Sequence, residues 1–130
     1  MEELRAALET KDLAAVEAML ADDVVFRSPA LHRPYRGRAA TMVFITAASE
    51  VLEDFRYVRT FTEDDGRGHV LMFAASVGGR ELEGVDIVSL DDDGRITEFR
   101  VMVRPMTGLV ALAEAMAPRV AGPLAGLSPG

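Results

Sequence analysis

Cysteine is absent from this chain, which excludes disulfides, thiolate metal sites and a cysteine nucleophile. Histidine is scarce: His32 and His69 stand apart, and two isolated imidazoles make no zinc pattern. Basic charge is in deficit, with 14 Lys and Arg against 21 Asp and Glu and a formal net charge of −7. Nucleic acid is therefore not an expected partner, because phosphate-backbone binding needs a concentrated basic surface. No apolar run is long enough to span a bilayer, so no membrane partner is expected. The opening MEELRAALETKD is acidic and amphipathic, unlike a signal peptide. The expectation is a cytoplasmic protein.

What is present fits one ordinary globular domain: 130 residues, 49 % hydrophobic and 27 % charged. Helical spacing covers residues 2–9, through Leu4 and Leu8, and residues 13–21, through Leu13, Val16 and Leu20, with Asp12 as N-cap. A strand runs from Val24 to Arg27 and stops at Ser28-Pro29. Residues 29–37, rich in Pro and Gly, read as a loop. Gly37 opens a third helix, about 38–53. From residue 55 the period becomes alternating, and Phe55, Tyr57 and Phe61 are expected on one strand face. A further strand, 69–77, ends in the two-residue Gly78-Gly79 turn. A long hairpin over 81–105 follows, and then a short apolar helix carrying Leu109, Leu112, Ala113 and Met116. Residues 1–117 are expected to form the single domain, and 118–130 a flexible Gly/Pro-rich tail. Helices collected before a run of strands indicate an α+β architecture. The expected form is a cone-shaped, curved, mostly antiparallel sheet wrapped around the N-terminal helices.

The hairpin carries the most informative residue. Asp91-Asp92-Asp93-Gly94 supplies its turn. Alternation places Leu82, Gly84, Asp86, Val88 and Leu90 on one face, with Asp86 the sole charge among them. A carboxylate on a buried apolar face is costly unless paired, neutralised or used.

Two stretches carry a family resemblance. Residues 5–29, RAALETKDLAAVEAMLADDVVFRSP, and 84–96, GVDIVSLDDDGRI, resemble the entry helices and the hairpin of the nuclear transport factor 2-like superfamily. That group includes the ketosteroid isomerases, the SnoaL-like polyketide cyclases and the limonene epoxide hydrolases, and its fold is an α+β roll of the cystatin-like kind. In the isomerases a tyrosine on the first helix and a protonated aspartic acid on the hairpin form an oxyanion hole, and a second aspartate is the base. Asp86 matches the hairpin acid. Leu4 stands at the tyrosine position and Ser28 at the base position, followed by the expected Pro29. One of the three groups survives, so the usual isomerase route is not implied. The Asp/Arg/Asp set of the epoxide hydrolases has no placed counterpart.

The candidate catalytic residues are Asp86 as acid/base, His32 as a second proton carrier beside the cavity mouth, and Ser28 as a hydrogen-bond donor. Phe26, Tyr35, Tyr57, Phe73, Phe99 and Val103 are the candidate substrate-binding residues. Tyr35 or Tyr57 could replace the missing donor, although packing in the core is the plainer account of Tyr57. The three consecutive aspartates lack calcium-loop spacing, and the Gly pairs do not precede helices as phosphate loops do, so no metal or cofactor is expected. The outer sheet face, with Val70, Met72, Ala74, Val85, Ile87 and Met102, is expected to pair in a homodimer. These features predict a small cofactor-independent enzyme that moves protons on a hydrophobic small molecule, as isomerase, cyclase or epoxide hydrolase. A non-catalytic small-molecule binder or dimerisation domain of the same fold is the alternative, and whether the chain is catalytic stays open at this point.

Overall fold

The computed structural model describes residues 1–127. The elements are α1 (Glu2–Glu9), α2 (Leu13–Met19), β1 (Leu20–Arg27), β2 (Tyr35–Arg36), α3 (Arg38–Val51), β3 (Glu53–Thr62), β4 (Gly68–Val77), β5 (Arg80–Leu90), β6 (Ile96–Arg104) and α4 (Met106–Leu124). The six strands form one sheet in the order β2-β1-β6-β5-β4-β3. Among the described residues, only the β1–β6 pairing is parallel; the others are antiparallel. This is the α+β fold expected from the element order. Among the described residues, no helix is long and apolar enough to cross a membrane.

Local chemistry sets the joints. Asp12 accepts the Ala15 N–H through Oδ1 and starts α2. At the tip of the β5–β6 hairpin, Asp91 Oδ1 accepts the N–H groups of Asp93 and Arg95 at 2.9 Å each, and Gly94 takes a left-handed φ of 82°. The alternating burial of β4 and β5 gives the sheet one inner face, with Leu71, Phe73, Leu82, Asp86 and Val88 buried on it. Leu4 from α1, Val16 from α2 and Phe44 from α3 close the core over that face.

Three expectations change. Tyr57 pairs with Phe73, but a register shift between Tyr57 and Arg59 brings Phe61 opposite Val70 on the outer face. Phe61 is therefore half exposed, under the guanidinium of Arg59. An extra residue in one strand flips every later side chain, and simple alternation does not anticipate it. His69 begins a strand beside a turn, which from sequence reads as a surface position, yet it is buried: Nε2 donates to the Gly66 carbonyl (2.9 Å), and Nδ1 accepts from the Thr62 hydroxyl (3.0 Å). The final helix is much longer than its short apolar signal suggests, because it continues through Pro118 and Pro123 to Leu124. Most of the expected loose tail is thus helical, since side-chain packing outweighs the backbone hydrogen bonds that proline removes. Residues 128–130 of that tail lie outside the described residues.

Candidate functional site

Asp86 sits mid-way along β5, opposite Leu71 on β4 and Val101 on β6. The residue is 5 % exposed and has apolar side chains on both flanks. The one strong polar partner comes from β3: the Tyr57 hydroxyl donates to Asp86 Oδ2 at 2.5 Å. The other carboxyl oxygen makes no hydrogen bond among the described residues, and it is not sealed from solvent. It is therefore left to face the adjoining cavity.

Gly84 makes this pair possible. It lies one row along the same face of β5, and a Cβ there would run into the Met102 carbonyl and the Phe73 ring. Without one, Phe73 lies across β5, and Tyr57 stands edge-on to it at 6.3 Å between centroids. Phe55 packs edge-on against Tyr57 at 5.0 Å. The Tyr57 backbone is fixed from α1, whose Glu9 Oε2 accepts its N–H at 3.0 Å.

Burial dominates the electrostatics. Desolvation disfavours the carboxylate and pushes the Asp86 pKa up to about 7, while the Tyr57 hydrogen bond opposes the rise. The Tyr57 hydroxyl is driven far above its ordinary range, first by burial and then by the Asp86 charge. Tyr57 stays a neutral donor, and Asp86 exchanges its proton near neutrality.

The pair borders a cavity of about 490 Å³. Phe26, Ser28, Tyr57, Phe73 and Phe99 line it. The Ser28 Oγ accepts the Ala30 N–H at 3.1 Å, and its own proton remains free to donate. Three candidates are not brought in. His32 is exposed, and its neighbours Ala30 and Leu31 meet the cavity instead. Tyr35 pairs with Phe26 in β2 and buttresses Phe44 from behind, 4.9 Å between centroids. Val103 is half-buried opposite Gly84 and is not among the residues that line the cavity.

Several lining residues escape sequence reasoning. Leu109, Leu112, Ala113, Met116 and Val120 of α4 form one wall, and Ile45 and Ser49 of α3 another. Their helical spacing is visible in the sequence, but nothing there says which face they cover. Leu8 from the last turn of α1 and Lys11 from the α1–α2 turn complete the rim.

A family model for a SnoaL-like domain matches residues 1–99. Among solved structures, a steroid delta-isomerase from Pseudomonas aeruginosa is 46 % identical with a TM-score of 0.89, covering 95 % of this chain and 90 % of that one. A protein with a cystatin-like fold from Silicibacter pomeroyi DSS-3 is 28 % identical, also at TM-score 0.89, covering 96 % and 89 %. An NTF2-like protein of unknown function from Cytophaga hutchinsonii ATCC 33406 shares the fold at 22 % identity and TM-score 0.62, covering 81 % and 87 %. No curated protein sequence matches.

Proposed function

The chain belongs to the SnoaL-like domain family of the NTF2-like superfamily, and on that footing we propose that it is a cofactor-independent enzyme moving a proton on a hydrophobic small molecule, with Asp86 as the acid/base. The carrying observation is the Tyr57–Asp86 pair at the edge of an apolar cavity, one carboxyl oxygen tied and the other open. A carboxyl with a pKa near the working pH is suited to both halves of a proton transfer. As carboxylate it takes a proton from the carbon beside a carbonyl. As carboxylic acid it returns that proton to another carbon, so no external acid or base is consumed. In this reading Ser28, which lines the same cavity and has its proton uncommitted, donates to the developing enolate oxygen.

The similarity to a steroid delta-isomerase favours isomerisation of a β,γ-unsaturated cyclic ketone within this class. The test is proton exchange in D₂O, followed by NMR at the carbon beside the carbonyl of such a ketone, together with the rise of enone absorbance. Asp86→Asn should slow exchange by about 10²-fold or more. Equal exchange by the wild type and the variant removes Asp86 from the chemistry.

A binding function without turnover is the second reading. It is favoured by the absence, among the described lining residues, of any second carboxyl or imidazole. Binding of the ketone without exchange in the wild type would select it. The outer sheet face is proposed as a homodimer interface: Phe61 and Met102 are about half exposed there, Val85 and Ile87 lie between, and the helices that line the cavity lie on the opposite, inner face.

A further inference from the structure

The sequence contains one lysine, Lys11; every other cation is an arginine. Lys11 stands just past the end of α1 with φ of 59°. Its N–H donates to Leu8 O (3.3 Å), and the Asp12 N–H reaches back to Ala7 O (2.8 Å). These two nested bonds close the helix around a left-handed residue, a position that glycine ordinarily fills because a Cβ is disfavoured there. Backbone geometry alone thus favours glycine. The chain instead carries its one long ammonium side chain at this point, and that residue lines the cavity rim. Lys11 forms no ion pair among the described residues, although acids outnumber bases 21 to 14. Among the described residues, the only other charged one in the lining is Asp86, buried in the wall. The cavity is therefore apolar between an acidic group in its wall and a cationic mouth.

We propose that Lys11 is a specificity residue that receives an anionic substituent, a carboxylate or sulfonate, on an otherwise apolar ligand. The ligand enters body first: its uncharged end meets Asp86, which would repel an anion, and its charge stays at the solvated rim. This rests on the cavity being the ligand site, as in the proposed function.

A matched pair of fluorescent probes tests it. 8-Anilinonaphthalene-1-sulfonate carries the anion, and N-phenyl-1-naphthylamine is the same apolar body without it. Lys11→Gln should weaken the sulfonate probe about fivefold, as expected for one exposed ion pair, and leave the neutral probe unchanged. Lys11→Arg should retain both. Lys11→Gly should raise the melting temperature by relieving the left-handed strain, yet still weaken the sulfonate probe, which separates ligand contact from loss of fold. The proposal is overturned if the sulfonate probe binds Lys11→Gln and wild type alike, or if both probes weaken together. Ala113→Trp, or Ala48→Phe should the first not fold, fills the cavity and should abolish both signals. Unchanged signals in the filled variant, or no binding of either probe to wild type, would overturn the cavity reading itself and this assignment with it.

Discussion

The Tyr57 hydroxyl and Asp86 Oδ2 lie 2.5 Å apart across the inner sheet face, joining β3 to β5 over the intervening β4. The bond works against the effect of burial, since it stabilises the carboxylate that burial disfavours. Tyr57→Phe keeps the apolar ring and removes the donor. The Asp86 pKa should then rise above its value of about 7, seen by carbon NMR of the carboxyl with Asp86→Asn for assignment. An unchanged or lower value would show that the hydroxyl does not act on this group.

The same proton makes stability depend on pH. The folded chain holds it up to about pH 7, whereas an unfolded aspartic acid releases it near 3.8. Between those values the folded state binds more protons, so the Asp86 contribution falls as pH rises through this window and is flat above it. The full change is on the order of 4 kcal/mol. Unfolding free energies from urea titrations between pH 4 and 8 should decline less steeply, by about that amount, in Asp86→Asn than in wild type. Parallel curves would mean that the carboxyl is not perturbed.

Gly84→Ala forces a methyl into the Met102 carbonyl and the Phe73 ring. The backbone contact cannot swing away, so the expected loss is about 2–4 kcal/mol in chemical denaturation. Gly122→Ala, with open space around its Cβ position within α4, should instead be neutral or stabilising.

Met102→Glu places a charge on the outer sheet face while leaving the cavity untouched. Light scattering should show a dimer for wild type and a monomer for the variant, with proton exchange or ligand binding retained. A monomeric wild type would remove the interface.

Much of this was legible in the chain. Asp86 stood out because strand alternation isolates one charge among Leu82, Gly84, Val88 and Leu90. Its partner was harder to find. Tyr57 belongs to a strand whose register shifts at Val58, and a bulge has no reliable sequence mark, so alternation puts Phe61 inside whereas it lies outside. His32 lies in a Pro-rich loop, where side-chain direction depends on a backbone path that composition does not specify. The length of α4 was masked by Pro118 and Pro123, which ordinarily signal a helix end. The Schellman turn at Lys11 was hidden for a related reason, since the glycine that usually marks it is missing.

The α4 wall has an effect beyond its packing. Asp86 owes its high proton affinity to being kept from water, and Leu112 and Met116 stand on the far side of the same space. Water admitted by lifting that helix would let the carboxyl ionise, whereas an apolar guest filling the space would hold the proton in place. Occupancy and charge are in this way two readings of one equilibrium. Near neutral pH the protein should take up a fraction of a proton as a greasy ligand settles in, and release it as the ligand departs.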